Sequence, residues 1–462
     1  MQRQALFLLT LWICASAASA SPLEPLARLE LVPPSPVTDK IDLDMRGAVE
    51  NTSDASLHCR ISLYLDRESP DARVQSLTAT LAPHASAGIY YRRSTVGWVG
   101  RHNVFLAAAC NGRYSHAERM VEVLPSAVRS TRTIDGAWAG IVHWSETEAK
   151  YWNSDIRKLT DTGWREQVRG MHQVGMDTIV IQEVFRNEAY QGDGSIAAHG
   201  YHGLAYYPSK LYPGRVSMTA YDPIEAILSE ADRQGMNVFL GIGAYAWFDF
   251  SPEALTWSKQ VATELWQRYG RHPSFYGWYV SAEAYGSLVP DRGPTDIYRR
   301  QIVDYFAGLQ AYCRKLAPKK PIMLAPNAHG MLQSRTAWPA VLRHLDIVCP
   351  FAFHRMPPGD ITGEQAAAIW QSMCDKAGTH LWLDMEAFVF EDKALVPRPI
   401  AGLLQDMRRF PNFEKILCYQ YPGIFNQPGL RITPGGPATV VLYRDYSHYL
   451  ESIGRAPVPA AP

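Results

Sequence analysis

Eight short apolar runs in the later part of this 462-residue chain end on side chains able to bind or react. In chain order those ends are His143 and Trp144; Gln182 and Glu183; Tyr245, Trp247 and Asp249; Glu283 and Tyr285; Asn327 and His329; His354 and Arg355; Asp384 and Glu386; and Tyr419, Gln420 and Tyr421. The set is rich in carboxylates, amides, imidazoles and aromatic rings. It is poor in the glycines and lysines that cradle phosphate. Aromatic faces stack on the C–H faces of sugar rings, and amides and imidazoles bond hydroxyls. Cleaving a glycosidic bond needs two carboxylates on separate elements, one to protonate the leaving oxygen and one to attack the anomeric carbon or activate water. Glu283 and Glu386 fit that pair, each the last acid of a strongly apolar run, "FYGWYVSAE" and "HLWLDMEAF". His143, Trp144, Gln182, Tyr245, Trp247, Asn327, His329, His354, Asp384, Gln420 and Tyr421 are the candidates for holding the sugar. His143, Asp249 and Glu386 have the chemistry of metal ligands but not the spacing of a metal motif, and no metal or other cofactor is expected.

Those ends must be positioned by a common scaffold. The runs at 139–144, 176–184, 236–245, 275–283, 321–328, 346–353, 380–388 and 415–423 alternate with amphipathic segments such as "WREQVRGMHQVG", "YDPIEAILSEADRQG" and "IAGLLQDMRRF". Strands alternating with helices in this way predict an α/β fold, a (β/α)8 TIM barrel over residues 136–455. A doubly wound open sheet would carry a Gly-rich turn after an early strand, and none is present. In the barrel, reactive groups sit at the C-terminal ends of strands. Alternation then puts Tyr279 and Ser281 on the face of Glu283, with Val280 and Ala282 toward the helices. It likewise puts Trp382 and Asp384 beneath Glu386, and a buried acid beside a second carboxylate favours its protonated form. Gln182, rather than Glu183, is expected at the mouth. The long segment 187–214 is expected to wall the cleft with Tyr201, His202, Tyr206 and Tyr207.

Residues 25–125 read differently. Short alternating strands such as "SLHCRISLYLD" and "HNVFLAAACN" predict an all-β, immunoglobulin-like sandwich, in which Cys59 and Cys110 are the expected disulfide. The order of these strands resembles the adhesion-type modules found beside bacterial extracellular enzymes. Residues 1–20 read as a signal peptide, with Arg3, a short apolar core and Ala18-Ser19-Ala20. The expected location is therefore periplasmic or secreted, with no integral membrane segment after cleavage. Lys+Arg and Asp+Glu both number 45, so there is no basic excess to meet phosphate and no nucleic-acid partner is expected. A monomer acting on carbohydrate is expected.

The segments "FYGWYVSAE" and "WLDMEAF" resemble a bacterial family of glycosidase-like (β/α)8 barrel domains of uncharacterised function, over about residues 136–425. In layout that family is related to the clan of retaining (β/α)8 glycoside hydrolases. The resemblance implies Glu283 as acid/base and Glu386 as nucleophile, acting on an extracellular or periplasmic polysaccharide. The chain departs from the clan at Ala282, where those enzymes keep an asparagine that bonds the sugar 2-hydroxyl. Either Asn327 or Gln182 substitutes, or the mechanism differs, or the barrel binds glycan without cleaving it. The last alternative is a non-catalytic glycan-binding protein of exopolysaccharide or envelope assembly.

Overall fold

A computed structural model of the chain describes residues 25–187, 203–212, 214–245, 248–290, 293–455 and 458. The expected leader, the candidate Trp247, and Tyr201 and His202 lie outside the described residues.

The N-terminal strands are built on alternation. Leu57, Cys59, Ile61 and Leu63 bury one face of strand Leu57–Leu65, while His58 and Arg60 face outward. The same period in Gly100–Cys110 and Arg113–Leu124 produces a five-stranded sheet, completed by Val37–Thr38 and Arg73–Leu81. A three-stranded sheet of Leu26–Val32, Asp42–Glu50 and Ser86–Ser94 packs against it, so the two inner faces share one apolar core. Cys59 and Cys110 are directly paired across neighbouring antiparallel strands and form the expected disulfide.

The barrel strands are Gly136–Ala139, Thr178–Ile181, Asn237–Gly241, Phe275–Val280, Ile322–Leu324, Ile347–Val348, then His380–Leu381 continuing as Leu383–Glu386, and Ile416–Tyr419. All are parallel, and the sheet closes on itself. Strand seven pairs with strand six through His380–Leu381 and with strand eight through Leu383–Glu386. Strand eight in turn pairs with strand one. Helices return the chain between strands, and sequence signals fix their starts. Thr160, Asp222, Ser251 and Thr362 each cap a helix with a side-chain oxygen that accepts a backbone N–H. Pro223 and Pro252 follow two of these caps at positions where no N–H is needed. The first strand is the one displaced from expectation: it is Gly136–Ala139, not the run at 139–144. Its pairing with Thr178–Ile181 sets that register, so His143 and Trp144 stand on the following loop.

The sandwich closes the bottom of the barrel. Strand Asp42–Glu50 is buried on both faces because its outer side rests there. Arg46 Nη2 stands 2.8 Å from Asp346 Oδ1, and Lys320 Nζ 2.5 Å from Glu30 Oε1. Tyr276 donates its hydroxyl to Leu31 O at 2.6 Å, and Val32 joins the apolar cluster inside the barrel.

Candidate active site

Strands four and seven carry the two expected acids to one cavity. Tyr279, Ser281 and Glu283 all line it, while Val280 and Ala282 pack into the helix layer. Ser281 Oγ donates to Gln182 O at 2.5 Å and accepts the Gly243 N–H at 2.9 Å, tying strands two, three and four together below Glu283. On strand seven, Trp382 fills the barrel interior, Asp384 and Glu386 line the cavity above it, and Leu383 and Met385 face the helices. The cavity has a volume of about 180 Å³.

The three acids have different environments. Burial pushes Glu283 up to about 8, against the pull of Arg355 and a hydrogen bond from Asn327. Asn327 Oδ1 accepts the His329 N–H at 2.8 Å, which leaves its amide nitrogen as the donor to Glu283. Burial, reinforced by the charges of Glu386 and Glu283, holds Asp384 well above the usual carboxylate range. Glu386 is equally buried, but the bond from His354 and the charge of Arg355 outweigh desolvation and hold it below that range. Arg355 Nε lies 2.7 Å from Glu386 Oε1, and His354 Nδ1 lies 2.9 Å from Oε2. Both side chains come from the single turn Phe353–Arg355, which opens on Ala352 at φ 71°. A non-glycine residue in the left-handed region is unfavourable by ~1 kcal/mol or more, and the turn it makes is what faces Glu386.

The other walls come from loops. His143 is buried, and desolvation lowers it to about 4, so it is a neutral imidazole near pH 7. Its Nδ1 lies 3.1 Å from both the N and the O of Ser145, and its Nε2 lies 3.6 Å from Glu148 Oε2. Trp144 stacks beside it at 5.2 Å between ring centroids. Gln182 lines the cavity, and Tyr419 donates to its Oε1 at 2.9 Å, which leaves the amide NH2 group as the donor end of the side chain. Glu183 faces away and accepts the Tyr206 hydroxyl at 2.8 Å.

Two contributors are absent from the sequence reading. Glu148, on the loop after strand one, lines the cavity, and burial raises it to about 7. A hairpin of Phe388–Glu391 and Ala394–Pro397 follows strand seven and adds Phe388, Phe390 and Leu395 to the wall. The Leu395 N–H donates to Glu148 O at 2.8 Å, so the two unanticipated pieces hold each other. The hairpin turns at Asp392 and Lys393, both at positive φ, without the Asn-Gly or Asp-Gly pair that would have signalled it.

Several of the residues expected to hold sugar stand away from the cavity lining. Tyr421 points into the helix layer, where a side chain at Gly170 would collide with its hydroxyl. Gln420 is fully buried, and its Oε1 accepts the Gly140 N–H at 3.2 Å. Tyr245 packs on Trp257 at 6.0 Å and does not line the cavity. Tyr206 and Tyr207 anchor their loop from inside, bonded to Glu183 and Glu264. His329 and His354 flank the cavity through Glu386 and Arg355 rather than lining it. Asp249 accepts the Ser251 N–H at 2.8 Å ahead of a helix. Among the described residues no three His, Cys, Asp or Glu side chains gather as a metal site, and no helix is long and apolar enough to cross a membrane.

Similar folds occur among solved structures. One is a GH2 beta-galacturonidase from Eisenbergiella tayi, 10% identical, with a TM-score of 0.41, covering 95% of this chain and 73% of that one. Another is beta-glucuronidase 2 from Bacteroides uniformis, 13% identical, with a TM-score of 0.39, covering 86% of this chain and 45% of that one. No curated protein matches the chain in sequence. Residues 134–431, which span every barrel strand and both acids, match the family described as "Domain of unknown function (DUF4434)", and the chain belongs to that family.

Proposed function

We propose that this chain is a retaining glycoside hydrolase acting on a polysaccharide outside the cytoplasm. One observation carries the reading. Glu283 and Glu386 line one cavity from the ends of strands four and seven, and their surroundings push them to opposite protonation states. Paired acids separated in this way are how a site runs acid and nucleophile chemistry together. Protonated Glu283 gives its proton to the glycosidic oxygen as that bond breaks. Ionised Glu386 attacks the anomeric carbon and forms a glycosyl ester. Glu283, now a carboxylate, takes a proton from water, whose oxygen displaces Glu386. Asn327 and Gln182, both lining the cavity, supply the amides for sugar hydroxyls that Ala282, turned to the helices, does not.

A polysaccharide hydrolysis screen of the chain tests this. Activity on one member, lost by about 10²–10⁴-fold in Glu283→Gln and Glu386→Gln, with the first product keeping its anomeric configuration by NMR, supports it. Binding without cleavage of any member would replace it with the glycan-binding alternative. Inverted product would move Glu386 from nucleophile to base.

A further inference from the structure

The ionisable groups inside the cavity are lopsided. Glu148, Glu283, Asp384 and Glu386 line it against one guanidinium, Arg355, and both Arg355 and the flanking His354 are spent on Glu386. His143, the one cation-forming group within 4 Å of Glu148 among the described residues, is held neutral by burial. The catalytic pair accounts for two of the four acids and leaves Glu148 and Asp384 without a task. Asp384 is 5% exposed, lines the cavity, and its Oδ1 has no hydrogen-bond partner among the described residues. A buried polar atom left unpaired points to a missing ligand group.

The ligand's sign follows. In a water-poor cavity, charge interactions are several times stronger than in bulk solvent. A uronate would bring a further negative charge beside ionised Glu386 and would set its own oxygens against three more carboxyl groups. A neutral N-acetyl group would leave Glu148 without a counter-charge. An ammonium group can take the place of the proton on Glu148, the acid at the cavity wall, while Glu283 keeps its own. Resting on the glycosidase reading above, we propose that the site takes a sugar bearing a free amine, as in a de-N-acetylated hexosamine polymer, with Glu148 receiving the ammonium.

The test compares oligomers of glucosamine and of galactosamine with their N-acetylated forms and with oligouronates of equal length. Binding is measured by isothermal titration to the Glu283→Gln chain, and cleavage with the native chain. The expected result is at least ~10-fold tighter binding of an amine form than of its acetylated partner, with uronates weakest. Adding Glu148→Gln, in a chain whose circular dichroism is unchanged, collapses that ratio toward one. Equal or tighter binding of the acetylated or uronate forms overturns the proposal without any variant, as does a ratio that Glu148→Gln leaves intact. Cleavage of a neutral glycan with no preference for amines sinks this inference alone. Amine-selective binding with no hydrolysis of any oligomer sinks the hydrolase reading and keeps the amine site.

Discussion

Arg355 and Glu386 meet at a single oxygen: the guanidinium Nε stands 2.7 Å, and Nη2 2.6 Å, from Glu386 Oε1. Arg355 also pulls Glu283 down from the still higher value that burial would impose. Replacing it with methionine removes one positive charge from both acids. Each carboxyl then titrates at higher pH, so both limbs of the kcat/KM profile move up the pH scale together. The rate at neutral pH falls by about 10²-fold, as Glu386 loses its ionised fraction. Arg355→Lys keeps the charge but not the fork geometry, and its profile lies between the two. A profile that stays in place in Arg355→Met would show that the pair has no electrostatic role.

Glu283 also carries a stability signature. Its folded-state value, about 8, lies above the ordinary carboxyl range. The native state therefore keeps a proton that the unfolded chain releases. Stability is complete below the unfolded value and is lost as pH rises through about 8. Glutamine at 283 has no proton to lose. The variant should melt with the native chain near pH 4 and above it near pH 8, by about 1–3 kcal/mol after allowing for partial exposure. Calorimetry at both values decides, and a gap of equal size at both would assign the effect to packing.

The strand-borne part of this site is legible in the sequence because alternation is a strict two-residue period. Tyr279-Ser281-Glu283 and Trp382-Asp384-Glu386 could be assigned to one face before any coordinates. Loops have no such period. Glu148 lies in "SETEAK" among other polar residues, and nothing in that spelling tells it from the exposed Glu146. The hairpin at Phe388–Pro397 hides for a related reason. Its turn uses Asp392 and Lys393 at positive φ, so "VFEDKALV" lacks a glycine to mark the reversal. Past the end of strand eight, alternation stops being a guide, and Tyr419 rather than Tyr421 lines the cavity.

The hairpin offers a direct check on sugar contact. Phe390 is 52% exposed at the cavity wall, with Phe388 edge-on to it at 5.5 Å. An exposed ring there has apolar area to bury on a ligand. Phe390→Ala should weaken substrate binding by about 1 kcal/mol, raising KM several-fold with kcat little changed. A fall in kcat at constant KM would place the ring's contribution in the transition state instead.

The join between sandwich and barrel titrates with the same sign as Glu283, through a higher pH window. His380 lies at the barrel base with Nδ1 2.7 Å from Glu414 Oε2 and Nε2 3.3 Å from Asp44 Oδ2 of the sandwich. Burial lowers its affinity for a proton, but the two carboxylates outweigh burial and raise it to about 9. A histidine raised in this way stabilises fully below its unfolded value near 6.5, and the contribution is lost as pH rises through about 9. Urea unfolding should therefore cost the native chain about 2–3 kcal/mol between pH 6 and pH 10 that His380→Gln does not lose, the variant starting lower at pH 6. Parallel pH curves for the two chains would refute the assignment. The neighbouring Arg46→Met is the harsher change. It leaves Asp346 and Asp44 buried with one counter-charge fewer, and should cost about 3–5 kcal/mol at every pH where those acids are ionised.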